Sequence, residues 1–215
     1  AEVAHEIRNP LTVVKMLYHS LDLKFPAGDP RAKDAGIIEE KIEQLNQIVE
    51  QILNFARKTE PEMAPVNLNQ WIDELSLLVR HKLRHQNIQL IQCLQPDLPA
   101  VAGAPTQLEQ AFLNLILNAA EAMPQGGTLT ITSRALRTPR RAPQPTHVAV
   151  EFKDTGHGMS EEQRRRAFKS VLSTTKPGGT GLGLAIVARI VETHHGKVKI
   201  RSRAGRGTTL IVVLP

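Results

Sequence analysis

An apolar heptad repeat near the N-terminus limits the folds open to the first part of the chain. It occupies a predicted helix from about Arg31 to Lys58, and its members alternate four and three residues apart: Ile38, Ile42, Leu45, Val49, Ile52 and Ala56. Residues 1 to about 25 form a preceding helix with a similar stripe of Val3, Ile7, Leu11, Val14, Leu17 and Leu21. Two helices with one stripe each cannot close a core alone, so they need either another domain or a second copy of themselves. The simplest solution, which we predict, is a helical hairpin that pairs with a second copy as a dimeric four-helix bundle.

A proline-containing linker, residues 59–65, separates this hairpin from a region of different pattern. The helices predicted beyond it are Leu68–Arg84, Thr106–Met123 and about Gly181–His194, and the predicted strands are Ile88–Leu94, Thr128–Ala135, His147–Asp154, Lys197–Arg203 and Thr208–Leu214. Strands interspersed with helices in this way predict a two-layer α/β sandwich. We therefore predict an α+β chain with one domain at 1–60 and a second at 61–215.

Three local features of the second domain carry specific predictions. Thr106 followed by Glu109 has the spacing of a capping box, so we expect Thr106 to cap its helix. Cys93 lies in an alternating apolar run, and we expect a buried thiol there. His194 and His195 stand at a predicted helix end, where capping and dipole effects account for them.

The composition excludes several classes of function. The net charge is +6, with basic clusters around Arg140 and Arg165, yet no aromatic residues interleave them and no nucleic-acid-binding signature is present. We therefore predict no nucleic-acid partner; such a surface suits anionic ligands or an acidic protein. The single cysteine excludes an internal disulfide and a cysteine-based metal cluster.

No apolar stretch approaches the roughly 20 residues of a membrane-spanning helix. The chain begins without Met inside a predicted helix, so we expect it to be a fragment. This part is predicted to be cytoplasmic, with any membrane attachment of the full protein in a segment that precedes it.

Three separate pieces of the second domain have the chemistry of a nucleotide site. In the first, Asn114 and Asn118 lie on one helix face, where amide oxygens can serve as ligands of a hard divalent cation. Polar residues of an ordinary solvated face would look the same.

The second piece, Asp154-Thr-Gly156-His-Gly158, follows a predicted strand. The carboxylate can accept a hydrogen bond from an exocyclic amine, which favours adenine over guanine, and the glycines permit close approach of a flat base. A simple turn is the alternative interpretation.

The third piece runs from Ser173 to Gly183 and opens directly onto a helix. Its glycine amides and the helix N-terminus can hold phosphate, and Lys176 can add a positive charge. It matches neither the P-loop pattern nor a Rossmann turn.

Near the N-terminus, His5 is followed at once by Glu6, and Asn9 lies one helical turn further on. Alone, this is an exposed imidazole beside an apolar stripe. With a nucleotide site in the same chain, it becomes a candidate acceptor of a phosphoryl group.

Together and in this order, the pieces resemble the sensor histidine kinases of two-component signalling, most closely the nitrogen-regulator-like branch. The segment His5 to Leu11 looks like the H box, 114–118 the N box, 154–158 and 179–183 the glycine boxes, and 205–208 the closing glycine motif. The resemblance implies a dimerisation and phosphotransfer hairpin followed by an ATP-binding domain of the Bergerat (GHKL) type. It implies ATP and Mg²⁺ as cofactors, with Mg²⁺ held through Asn118 and in second place Asn114. The implied cofactor-binding residues are Asn114, Asn118, Asp154, Gly156, Gly158, Lys176, Gly179, Thr180, Gly181, Leu182, Gly183 and Thr208.

The same resemblance implies roles for the N-terminal residues and for partners. His5 would be the phosphoacceptor, Glu6 would fix its tautomer as a base, and Asn9 would orient the water of a phosphatase reaction. The implied partners are a second copy in a homodimer and the receiver domain of a response regulator, whose aspartate takes the phosphoryl group.

Two other functions are consistent with parts of the pattern. A Bergerat-type ATPase or chaperone would carry a water-activating glutamate one turn before Asn114, but Gln110 stands there and cannot act as a base. A pseudokinase scaffold would have lost motifs, and none is missing here. The segment before Ser173 departs from the branch, because Ser170, Val171 and Leu172 replace its usual proline and aromatic residues.

Overall fold

The computed structural model describes residues 2–21, 23–26, 28–56, 62–137, 146–168 and 183–215, without the side chains of residues 2–9, 40, 44 and 47–56. The chain divides into two compact units. Of the described residues, those up to Ala56 belong to the first unit and those from Glu62 onward to the second.

The first unit is a helical hairpin. Helix α1 spans Glu2–Ser20 and α2 spans Pro30–Ala56. Lys15 Nζ lies 2.7 Å from a carboxylate oxygen of Glu43, and the Tyr18 hydroxyl donates to the carbonyl of Ala35. Since residues later in α1 contact residues earlier in α2, the two helices run antiparallel.

Aspartate 29 organises the start of α2. Its carboxylate accepts a hydrogen bond from the backbone N–H of Arg31 at 2.9 Å and pairs with the Arg31 guanidinium at 2.7 Å. The side-chain hydrogen bond from Arg31, helped by its backbone N–H, lowers the pKa of the Asp29 carboxyl below its usual value. The same bond to Asp29 raises the pKa of Arg31.

Most described members of the two apolar stripes stay accessible within a single chain. Ile42 is buried and Leu11 is partly buried, but five other members are about half exposed or more: Val14 48%, Leu17 59%, Leu21 64%, Ile38 49% and Leu45 49%. A helix face with this composition needs a further apolar surface against it.

The second unit contains a five-stranded sheet of order β2-β4-β5-β7-β6 and a two-stranded ribbon, β1 with β3. In chain order its elements are β1 Ala64–Val66, α3 Leu68–His85, β2 Ile88–Leu94, β3 Val101–Gly103, α4 Pro105–Glu121, β4 Gly127–Leu136, β5 His147–Asp154, α5 Glu161–Arg166, α6 Gly183–Thr193, β6 Lys197–Ser202 and β7 Thr208–Leu214. Strand β2 pairs parallel with β4, and the other pairs are antiparallel.

The core of this unit lies between the sheet and its helices. Phe112 of α4 and Phe152 of β5 meet edge to face with ring centroids 5.3 Å apart, and both are almost fully buried. Helices α4 and α6 pack against each other, with Leu115 and Val187 completely buried. The predicted two-layer α/β sandwich is confirmed.

Several local predictions were wrong. Helix α4 begins earlier than predicted, with Pro105 at its first turn and Ala104 at the N-cap, and no side chain caps it. Proline is preorganised for the first helical position, so the chain enters the helix before Thr106 and no Thr106–Glu109 box forms. A capping box forms instead at Ser160 and Gln163 of α5, a short helix without buried residues that the apolar pattern did not predict.

Cys93 is exposed, not buried. It alternates with Leu90 and Leu94 along β2, so its side chain is on the face of the sheet away from the helical layer. The predicted linker also ends too late, because Ala64 and Pro65 already belong to β1.

Helix α6 ends in a Schellman motif whose left-handed residue is not glycine. Gly196 N–H donates to the Val191 carbonyl at 2.8 Å, and His195 N–H donates to the Glu192 carbonyl at 2.9 Å. His195 has φ of +53° and an exposed side chain. The backbone of an L-residue is strained in this conformation.

Replacing His195 with glycine is therefore expected to stabilise the second unit by about 0.5–1 kcal/mol, because glycine adopts positive φ without steric cost. Urea unfolding followed by the fluorescence of Trp71, the only tryptophan of the chain, measures this unit directly. His195→Ala is the control, since it removes the same imidazole but keeps the strain. Equal midpoints for the two variants would contradict the explanation.

Candidate nucleotide-binding site

The end of β5 presents a buried carboxylate with a fixed orientation. Asp154 is 6% exposed, and its Oδ1 accepts hydrogen bonds from the backbone N–H of Gly156 at 2.8 Å and of Thr208 at 3.1 Å. Two amide donors offset part of the cost of removing a carboxylate from water. They also tie the residues after β5 to the first residue of β7.

Three glycines make this geometry possible. A Cβ on Gly156 would run into the carbonyl oxygen of Ala122, one on Gly158 into that of Arg203, and one on Gly207 into that of Asp154. Gly158 and Gly207 also have φ of +66° and +79°. Only glycine fits at these positions without a steric clash, which explains the glycines of the first glycine box and of the closing glycine motif.

The turn between β6 and β7 is fastened to the first glycine box. Gly205 N–H donates to the His157 carbonyl at 2.7 Å, and Met159 N–H donates to the Ser202 hydroxyl at 2.8 Å. The Ser202 hydroxyl also lies 2.9 Å from Thr208 Oγ1. Asp154 and Thr208, distant in sequence, are thus brought into direct contact.

The two predicted amides lie on α4. The Nδ2 atoms of Asn114 and Asn118 are both buried and have no hydrogen-bond partner among the described residues. A buried polar group left unpaired costs about 1–3 kcal/mol. Amide oxygen and nitrogen are assigned from hydrogen bonding, so each amide can be turned to offer its oxygen. These unpaired amides fit the donor set of a hard divalent cation bound with a nucleotide.

Gly183, the last residue of the second predicted glycine box and the first of α6, lies beside Asn118. A Cβ on Gly183 would be 3.3 Å from Asn118 Nδ2. The start of α6 and the middle of α4 therefore approach closely where the amides are. Lys176, Gly179, Thr180, Gly181 and Leu182 lie outside the described residues.

The predicted N-terminal residues lie in the other unit. The backbone of His5, Glu6 and Asn9 is helical and belongs to the first half of α1. Pro10 follows them inside the helix and has no N–H to donate to the Glu6 carbonyl four residues back. Gln110 lies one turn before Asn114 on α4, at the position where a related ATPase would carry its base.

Sequence reasoning missed the contacts of His194. This residue is 2% exposed; its Nε2 accepts a hydrogen bond from Ala104 N–H at 2.8 Å, and its Nδ1 lies 2.7 Å from the Ile190 carbonyl oxygen. Helix-end capping explains only the second of these. No local sequence signal connects His194 to Ala104, which lies 90 residues earlier, between β3 and α4.

Two known protein-family models match the two parts of the chain. A model described as His Kinase A (phospho-acceptor) domain matches residues 1–61, and one described as histidine kinase-, DNA gyrase B-, and HSP90-like ATPase matches residues 103–215. The chain belongs to the sensor histidine kinases of two-component signalling. The predicted family is confirmed, and the fold of its second unit is that of the GHKL ATPases.

Curated sensor histidine kinases resemble the whole chain. The sensor histidine kinase ZraS of Escherichia coli is 34% identical over all 215 residues, which cover 44% of that protein. Sporulation kinase E of Bacillus subtilis is 32% identical, again over the whole chain and over 28% of the relative. The chain thus spans less than half the length of either protein. Among the described residues, no helix combines the length and apolarity needed to cross a membrane.

Solved histidine kinase structures share the architecture. Full-length ShkA in complex with AMPPNP aligns over all of this chain and 45% of its own, with a TM-score of 0.80 and 25% identity. Histidine kinase ThkA in complex with the response regulator TrrA aligns over the whole chain and 60% of its own, with a TM-score of 0.73 and 30% identity.

The close approach of Gly207 to Asp154 yields a test of the site. Gly207→Ala is expected to weaken ATP binding at least about tenfold, because a Cβ displaces the turn that brings the Thr208 amide to the carboxylate. The matched control is Gly205→Ala: Gly205 also has positive φ, +74°, but open space around its Cβ position. Titration with a fluorescent ATP analogue should show a large loss for the first variant and a change within about twofold for the second. Similar losses in both would mean that backbone strain, not the clash, is responsible.

Proposed function

We propose that this chain transfers the γ-phosphoryl group of ATP to His5, and from there to an aspartate on the receiver domain of a response regulator. In this proposal residues 1–60 form the dimerisation and phosphotransfer domain, and residues 61–215 form the catalytic domain. The observation that carries it is the buried Asp154 carboxylate, held by the amides of Gly156 and Thr208 in a chain that also matches a phosphoacceptor domain.

Asp154 is proposed to select adenine. When ionised, the Asp154 carboxylate can only accept hydrogen bonds, so it complements the exocyclic amine of adenine and opposes the carbonyl that guanine presents at the same position. Gly156 and Gly158 carry no side chain that could obstruct a flat base at the backbone. Thr208 positions the carboxylate through its backbone N–H.

The phosphate end of the nucleotide is assigned to α4 and the segment before α6. Asn118, with Asn114 as the second candidate, is proposed to hold Mg²⁺ through its amide oxygen, and the bound ion would neutralise charge on the phosphate oxygens. Lys176 and the backbone amides of Gly179, Thr180, Gly181, Leu182 and Gly183 are proposed to hold the phosphates. Gln110 cannot deprotonate water, so ATP hydrolysis is disfavoured relative to transfer to a protein nucleophile.

In the proposed transfer, a neutral ring nitrogen of His5 attacks the γ-phosphorus. A nitrogen–phosphorus bond forms, the bond to the bridging β–γ oxygen breaks, and ADP leaves with the electron pair. Glu6 accepts a hydrogen bond from the other ring nitrogen, which fixes the tautomer and stabilises the developing positive charge. The receiver aspartate then attacks phosphorus: an oxygen–phosphorus bond forms, the nitrogen–phosphorus bond breaks, and the electron pair returns to the ring nitrogen of His5, which regains a neutral ring. Asn9 is assigned to orient water when the phosphorylated regulator is dephosphorylated.

The proposed partners follow from the hairpin and from a relative. The half-exposed stripes of α1 and α2 support a homodimer with a four-helix bundle, because a second hairpin would cover them. A structural neighbour, ThkA, is solved in complex with a response regulator, and this supports a receiver domain as the acceptor. Cytoplasmic location remains a prediction for this part of the protein.

Incubation with radiolabelled Mg-ATP tests the transfer. Wild-type chain is expected to acquire an acid-labile, alkali-stable phosphate, and His5→Gln is expected to lose essentially all of it while binding ATP as wild type does, since His5 is not part of the nucleotide site. His19→Gln, which removes another imidazole of α1, is the control and should label normally. Equal labelling of His5→Gln and wild type would refute His5 as the acceptor. Steady phosphate release without labelled protein would favour an ATPase.

Introducing charged residues into the apolar stripes of α1 and α2 tests the proposed dimer. Leu17→Glu combined with Leu45→Glu is expected to convert a dimer into monomers, because carboxylates buried at a helix interface lose their hydration. Leu77→Glu is the control: this leucine of α3 is 65% exposed and lies outside the stripes. Light scattering coupled to size exclusion gives the mass directly. A monomeric wild type, or a double variant that stays dimeric, would contradict the proposed bundle.

A further inference from the structure

His194 has features that the proposed reaction does not use. It is a buried histidine at the end of α6, in the part of the second unit away from Asp154, and both its ring nitrogens are within hydrogen-bond distance of backbone atoms. Burial alone would not require a hydrogen-bond partner at each ring nitrogen. The two partners fix the position and orientation of the His194 ring.

The two contacts define the chemical form of the ring. Nε2 lies 2.8 Å from the backbone nitrogen of Ala104, which can only donate, so Nε2 must be the unprotonated acceptor. Nδ1 therefore carries the hydrogen and donates it to the Ile190 carbonyl at 2.7 Å. The arrangement requires a neutral imidazole with its proton on Nδ1.

The acceptor contact lies at the beginning of α4. Ala104 is the N-cap residue of this helix, and its methyl side chain cannot cap it. The hydrogen bond from the Ala104 N–H to His194 Nε2 therefore holds the N-cap residue of the helix in place. The ring also lies against Gly103, where a Cβ would be 3.2 Å from the His194 Cδ2 atom. Glycine at this position leaves room for the imidazole.

Helices α4 and α6 pack antiparallel, and two contacts mark the two ends of their interface. At one end His194 joins the end of α6 to the start of α4, and at the other Gly183, the first residue of α6, lies against Asn118. About 15–20 Å of helix separates these places, from a rise of 1.5 Å per residue. Since α-helices change length little, fixing one end sets the axial position of the other.

We propose that His194 is a positioning residue that sets the axial register of α6 against α4, and thereby the position of Gly183, the first residue of α6, relative to Asn118. The effect of the imidazole is exerted through the backbone of both helices, without contact with the nucleotide. The inference rests on the proposed ATP site for its functional consequence, although the register itself is a property of the protein without nucleotide.

Two substitutions separate the two hydrogen bonds. In His194→Gln the amide oxygen can replace Nε2 as acceptor of the Ala104 N–H; in His194→Asn the shorter side chain can reach only the Ile190 carbonyl. His194→Asn is expected to weaken Mg-ATP binding about tenfold, because loss of the Ala104 hydrogen bond lets Gly183 shift along α4 relative to Asn118. His194→Gln should bind within about threefold of wild type. His195→Gln and His195→Asn repeat the changes at the exposed neighbour and should leave affinity unchanged.

Two NMR measurements on the nucleotide-free chain test the register independently. The wild-type His194 ring should show a protonated Nδ1 and an unprotonated Nε2. A nuclear Overhauser contact between the Asn118 side-chain amide and the Gly183 α-hydrogens should be present in wild type and in His194→Gln, and weakened in His194→Asn. Calorimetric titration with Mg-ATP then gives the affinities of the same samples.

Each result decides between explanations. A His194→Asn chain with unchanged affinity and an unchanged Asn118–Gly183 contact would overturn the positioning role, as would an Nε2-protonated or cationic ring in wild type. Loss of the fold in His194→Asn would overturn it in favour of a purely structural role. A wild-type chain that does not bind Mg-ATP would instead refute the proposed function, and the NMR contact would still decide the role of His194.

Discussion

A buried carboxylate held by two backbone amides is the contact on which the geometry of the second unit depends. Asp154 ends β5 inside the protein, where an ionised group needs donors close by to replace water. Among the described residues, its Oδ1 accepts hydrogen bonds from two backbone N–H groups, one just beyond the strand and one at the start of β7. Gly158 and Gly207 allow the two segments to approach closely enough for these bonds. The glycine motifs thus allow the backbone to reach and hold the Asp154 carboxylate.

The amides of α4 show the opposite arrangement. Phe112 and Leu115 pack α4 tightly against the rest of the unit, yet Asn114 and Asn118 keep buried amide nitrogens with no partner among the described residues. A helix with a well-packed apolar face can tolerate this cost because the sheet and α6 hold it in place. Unsatisfied polar groups on a rigid element are preorganised to bind a ligand, whereas satisfied groups would first have to give up their partners.

The two units differ in how completely they bury apolar surface. Core residues such as Leu129 and Val212 of the sandwich are completely inaccessible to solvent, whereas Leu17 and Leu21 of the hairpin are more than half exposed. The difference follows from the patterns themselves. A sheet covered by helices closes its own core, but two helices with one stripe each leave apolar area that only another chain or domain can cover.

The sequence by itself determined the family, the two-unit organisation in outline and most elements. Strands β2, β5 and β7 have the predicted bounds because short apolar, β-branched runs are bounded by turn residues such as Pro96, Gly156 and Gly207, which are visible locally. Strands β1 and β3 are too short to show a period, and α5 buries no residue, so none of the three was visible in the pattern. Only the tertiary structure decided that Cys93 faces away from the core and that His194 accepts the Ala104 N–H. Periodicity reports which face of an element is apolar, while these two outcomes depend on which other elements pack against that face.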